Sequence, residues 1–158
     1  MAINPNTDFT VGAILTASQQ NRFPRGVMAL ASSTTNYTLT TSAAIATGMT
    51  VTFTAVANRN YKITYYEPQT QTAFGVASLV TAQIRLTNAA GTVLQTGYFQ
   101  SDTNQQNSGI TPIYTGTMTA GSVTIVGCLL VSSTNGTPLA NRSATQPAQI
   151  LVEDIGPA

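Results

Sequence analysis

The sequence contains no histidine and no tryptophan, one cysteine, one lysine and very little charge of either sign. Each shortage excludes something. Without histidine there is no His-based triad, no imidazole metal ligand and no general base that titrates near neutral pH without help. A single Cys128 cannot form an internal disulfide or a thiolate metal site. It lies in "SVTIVGCLLVSS", where a buried, small, hydrophobic role is expected. A Ser–Lys dyad would have to use Lys62, which sits on the Thr-rich face of a predicted strand. Only 7% of residues are charged, against roughly 25% in a typical soluble domain. The formal net charge is +1, and six basic residues spread along the chain make no stripe that could track nucleic-acid phosphates or an anionic membrane. No apolar run approaches the roughly 20 residues of a spanning helix. The start, "MAINPNTDFTVG", lacks the basic and apolar regions of a signal peptide, so synthesis in a cytoplasm is expected. Asn36, Asn135 and Asn141 open glycosylation-type triplets, which are chance matches without a secretory route.

What fills the space left by charge is Thr, Ser, Asn, Gln and Ala. Such a surface is polar but nearly neutral, with weak self-repulsion, and it favours association. With 158 residues the chain is the size of one domain. Residues 1–25 differ from the remainder and read as an arm. In it Thr16 can cap a short helical turn through Ala17, Ser18, Gln19 and Gln20. Phe9, Val11, Ile14 and Leu15 are apolar with no regular partner segment beside them. They suit an arm folded over its own domain or a peg inserted into another protein.

Residues 26–158 read as strands and turns. "VMALAS" is a first strand. "GMTVTFTAV" sets Met49, Val51, Phe53 and Ala55 on one face against threonines on the other, a period of two that marks a half-buried strand. "ANRN" then turns the chain into "YKITYY", with Tyr61, Ile63 and Tyr65 on one face. This pair is expected to form a hairpin. "ASLVTAQIRLTN", carrying Leu79, Ile84 and Leu86, and "TVLQTGYFQ" form a second hairpin. "TPIYTGTMT" and "SVTIVGCLLVSS" form a third, and "AQILVED" is the last strand. The expected fold is all-β, an antiparallel sandwich of jelly-roll type with about eight strands, preceded by the extended arm with its short helical turn.

No constellation for catalysis is found. Of the five acids, Glu153 and Asp154 are adjacent in the last strand and point to opposite faces. Asp8, Glu67 and Asp102 are expected in unrelated turns and loops. "DTNQQNSG" has one carboxylate, too few for a calcium cage, and no Gly-rich phosphate loop occurs. The expectation is a protein with no enzymatic activity, cofactor or metal, whose work is binding or building.

Several stretches resemble structural proteins of tailed-phage virions. "FTVGAILTASQQNRFPRGVMA" resembles the opening segment of that group, "GMTVTFTAVANRNYKITYY" its next hairpin, "IRLTNAAGTVLQ" its middle hairpin, and "ATQPAQILVEDIGPA" its ending. Together these span about residue 9 to 158. The resemblance implies a surface knob or decoration protein of minor tail, fibre or head-fibre type, self-associated as a homotrimer and bound to other capsid or tail proteins. The "ANRNY" turn departs from the group's Gly-Arg turn, and no fibre shaft is present. Docking candidates are Phe9, Val11, Ile14, Leu15, Arg22, Phe23, Arg25, Glu153 and Asp154, with one of the two acids expected to pair with an arm arginine. The alternative is a receptor-binding module for a host glycan or surface protein. In that case the polar loops, with Asp102, Asn104, Gln105 and Asn107, would hydrogen-bond the ligand, and Tyr37, Tyr98 or Tyr114 would offer a stacking ring.

Overall fold

The computed structural model describes residues 12, 14 and 16–158. After a one-turn helix α1 (Ala17–Gln20), strands follow without pause: β1 (Gly26–Ser33), β2 (Tyr37–Thr38), β3 (Ala44–Ala55), β4 (Arg59–Gln71), β5 (Ser78–Leu86), β6 (Val93–Ser101), β7 (Asn107–Ile110), β8 (Ile113–Thr117), β9 (Gly121–Val131), β10 (Leu139–Ala140) and β11 (Ala148–Pro157). All pairings between them are antiparallel. One sheet runs β1-β11-β4-β8, with β2, β10 and β7 extending it, and the other runs β3-β9-β5-β6. This is the strand order of a jelly roll, in which two Greek keys close one sandwich.

The alternation seen in the sequence sets the two inner faces. Met49, Val51, Phe53 and Ala55 of β3 and Tyr61, Ile63 and Tyr65 of β4 are all buried in one core with Val80, Ala82 and Ile84 of β5 and Ile150 and Val152 of β11. The Thr residues between them point outward, where β-branched side chains suit the pleat. Leu79 and Leu86 of β5 are only half-buried. Cys128 is a buried free thiol; burial raises its pKa, and nearby Arg85 partly offsets that.

Two of the three expected hairpins are corrected. β5 and β6 do pair, but β3 pairs with β9 and β4 with β11 and β8, so "ANRN" carries the chain from one sheet to the other. The turn between β8 and β9 does the same. The reason is visible in the side chains. Phe53 and Tyr61 face each other across the sandwich, with ring centroids 5.1 Å apart and a tilt of 54°. Because β3 and β4 lie in different sheets, this contact packs one inner face against the other and favours a corner over a hairpin. The Tyr61 hydroxyl also accepts a hydrogen bond from the Val56 N–H at 2.8 Å, and Asn58 takes a positive φ of 59°, which together fix the corner.

Candidate functional site

The two ends of the sandwich differ in what they do. β4 spans its length, about 40 Å at roughly 3.3 Å per residue. Arg59 opens it at one end, and the loop after Gln71 leaves it at the other. β11 runs antiparallel beside it, so Asp154 and Pro157 lie near the Arg59 end.

At that end the arm is clamped. Asp154 is fully buried and Arg59 nearly so. The guanidinium donates through Nε to Asp154 Oδ2 and through a second nitrogen to Oδ1 at 2.7 Å. The same side chain donates to the Asn21 carbonyl at 2.7 Å and the Phe23 carbonyl at 2.6 Å. Those oxygens lie just past α1, which Thr16 caps as expected, with Gln19 completing a capping box. The Gly156 N–H also donates to Asp154, at 2.9 Å. Burial pulls the Asp154 pKa up, but the Arg59 hydrogen bond, the Gly156 N–H, the Arg59 charge and the Arg25 backbone outweigh it and hold the carboxyl below its ordinary value.

The acidic pair therefore splits as the strand alternation requires. Asp154 faces in, while Glu153 faces out beside Lys62 at 3.4 Å. The expected partner is corrected: the side chain that pairs with Asp154 is Arg59 of β4, and Arg25 contributes through its backbone. Arg22, Phe23 and Arg25 do lie beside this clamp in sequence, and Ile14 is highly exposed. Phe9, Val11 and Leu15 lie outside the described residues.

Glu67 is not in a turn. It is buried in β4 and gripped by Arg142 through Nε at 2.7 Å and a terminal nitrogen at 2.8 Å. Arg142 also donates to the carbonyls of Thr47 at 2.7 Å and Thr35 at 3.3 Å. The Tyr65 hydroxyl donates to the Glu67 carboxylate at 2.8 Å. Burial, then the Glu67 charge and hydrogen bond, push the Tyr65 pKa well up. This buried network ties β4 to the segments that carry Thr35, Thr47 and Arg142. Among the described residues no three His, Cys, Asp or Glu side chains gather as metal ligands.

The outer face of the β1-β11-β4-β8 sheet carries an apolar band near the clamped end. The cross-strand register sets Leu30, Leu151, Thr64 and Ile113 in one row, with Val27, Glu153, Lys62 and Thr115 in the next. Val27, Leu30 and Ile113 are all exposed. Farther along, a shallow cleft of about 330 Å³ is lined by Pro68, Gln69, Asn107, Ser108, Gly109 and Gln146.

The far end is built from three loops. The segment after β4, the loop between β6 and β7 and the loop between β9 and β10 are stitched together by backbone hydrogen bonds. Phe74 N–H donates to the Asn135 carbonyl at 2.9 Å, Gly75 N–H to Thr103 at 3.0 Å and Thr72 N–H to Gln106 at 2.9 Å. Asp102, Asn104 and Gln105 lie here, and Asn107 starts β7 and lines the cleft. The Asp102 carboxylate accepts from the Asn104 N–H at 2.8 Å, which shapes the loop. Of the proposed stacking rings, Tyr37 and Tyr114 pack against the core, and Tyr98 stands exposed in the middle of β6. The aromatic ring at the loop end is Phe74, which the sequence did not single out.

No family model and no curated protein sequence matches the chain. Among solved structures, the Eiger TNF of S. frugiperda is 10% identical and aligns over 85% of this chain and 96% of its own, with a TM-score of 0.45. CsCBM6-3 from Clostridium stercorarium, solved with cellobiose, is 15% identical over 78% of this chain and 87% of its own, at 0.28. A chain of infectious bursal disease virus Gt strain is 16% identical over 85% of this chain and 43% of its own, at 0.24. None is similar enough to inform function.

Proposed function

We propose that this protein is a non-enzymatic structural component of a tailed-phage virion, a surface knob or decoration protein held to the capsid or tail through residues 1–25. The observation that carries the reading is the Arg59 clamp. One buried guanidinium grips both the carboxylate near the C-terminus and two backbone carbonyls of the arm. The last residues of the arm, Asn21 and Phe23, are therefore fixed to the domain at the end opposite the three-loop cluster. A knob built this way is held at its base and shows its loops outward. The resemblance of four ordered stretches to virion proteins supports the same role.

The apolar band on the outer sheet face suits packing against further copies of this chain, and three copies is the number that the resemblance implies. Among the described residues the charges in its two rows are Lys62 and Glu153, of opposite sign, so they cancel when like faces meet.

The test is complementation of phage particles that lack this protein. Removing residues 2–25 is expected to abolish incorporation while the remaining domain keeps its β circular-dichroism spectrum. Normal incorporation of the folded, truncated protein would refute the arm's role.

A further inference from the structure

Phe74 is 64% exposed, yet its backbone is well held for a loop tip. Its N–H is bonded to Asn135 at 2.9 Å, and those of its neighbours are bonded to the Ser78 hydroxyl at 2.8 Å and the Thr103 carbonyl at 3.0 Å. Gly136, at a positive φ of 72°, lies directly against it. A methyl group there would sit 2.7 Å from the Phe74 Cβ and 3.7 Å from Gln105 Nε2. The glycine thus allows the third loop to seat against the base of the Phe74 side chain and beside the Gln105 amide. A large apolar ring carried on a loop backbone held this firmly offers a platform on which an apolar ligand face can stack.

The surroundings define what would sit on it. Thr103, Asn104, Gln105 and Asn135 supply hydroxyl and amide groups, and the one charge in the three loops, Asp102, already accepts from its own loop. The cleft that starts at Asn107 continues with Gln69, Ser108 and Gln146, again without charge. A specific protein interface covers about 800 Å² per partner around an apolar centre, whereas here one ring stands alone in a polar rim. We infer that the loop end binds a neutral carbohydrate, with the C–H face of a sugar ring stacked on Phe74 and its hydroxyls bonded by the Gln105 and Asn135 amides. The site is independent of how the arm is attached, so it stands or falls separately from the structural role proposed above.

The experiment uses the full-length protein. Immobilised neutral oligosaccharides of glucose, galactose, mannose and 6-deoxyhexoses are probed alongside acidic ones, and saturation-transfer NMR identifies the ligand protons nearest the protein. Wild type is expected to retain at least one neutral oligosaccharide, with transfer to its ring C–H protons. Phe74→Ala and Phe74→Leu should each weaken binding by about tenfold or more, whereas Phe74→Trp should retain it. The melting temperature should not change, since the ring lies outside the core. Phe74→Leu separates stacking from simple apolar contact. Absence of neutral-sugar binding by wild type, a preference for acidic glycans, or undiminished binding by Phe74→Leu would each overturn the inference.

Discussion

At the scale of single residues, the scarcity of charge is also a matter of placement. Of the five acids in the sequence, Glu67 and Asp154 are fully buried and each is paired with a buried arginine. Removing one partner of such a pair strands the other, at a cost of about 3–5 kcal/mol. The exposed Lys62–Glu153 pair is worth about 0–1 kcal/mol. Arg59→Met should therefore lower the urea-unfolding free energy several times more than Lys62→Met, and equal effects would mean that Asp154 is solvated. The pH dependence has a definite sign. The Asp154 pKa is depressed in the folded state, so its contribution is present above the unfolded value of about 3.9 and is lost as pH falls through the lower folded value. Acid unfolding of Asp154→Asn should show a shallower loss of stability below about pH 4 than wild type does. Strand alternation made it legible that Glu153 and Asp154 face apart. The identity of Arg59 as partner was not legible, because it lies 95 positions away and nothing local marks an arginine in a polar turn as buried.

Among the elements, periodicity was a good guide and turn chemistry a poor one. The inner faces of β3 and β4 could be written down from the sequence, since a period of two admits one assignment. Partners could not, because an Asn-rich turn between two strands looks the same whether it closes a hairpin or turns a sandwich corner. Of the three expected hairpins, only β5 and β6, joined through "NAAG", pair within one sheet. Phe74 was missed for a related reason. An aromatic between Ala73 and Gly75 reads as the end of a strand, and only the approach of Gly136 from the third loop shows it as a tip. The topology also ranks the strands by stability. β4 is bonded along both edges, by β11 on one side and β8 and β7 on the other, whereas β2 and β10 have two residues each. In hydrogen exchange, the Tyr61 and Ile63 amides should be among the slowest, and those of β2 and β10 should exchange orders of magnitude faster. Equal protection would show that the short strands belong to the cooperative core.

For the whole molecule, the distribution of surface character matters more than its average. A near-neutral surface gives little repulsion anywhere, so association is directed by where apolar side chains are exposed. On the outer face of the β1-β11-β4-β8 sheet the band of Val27, Leu30, Leu151 and Ile113 lies toward the clamped end, and the uncharged cleft lies toward the loops. Packing copies together near the base would cover the band and leave the loop end open. Burying a Leu or Ile side chain is worth about 1.5–3 kcal/mol, so two such residues per subunit change an association constant by more than tenfold. Sedimentation of the full-length protein should show a multimer. Leu30→Asp with Ile113→Asp should shift it to monomer with the β spectrum intact, because both side chains point away from the core. Phe74→Ala should leave the multimer unchanged, since that ring stands at the other end. A multimer that survives the double substitution would move the contact to another face, and a monomeric wild type would leave the exposed band without its partner.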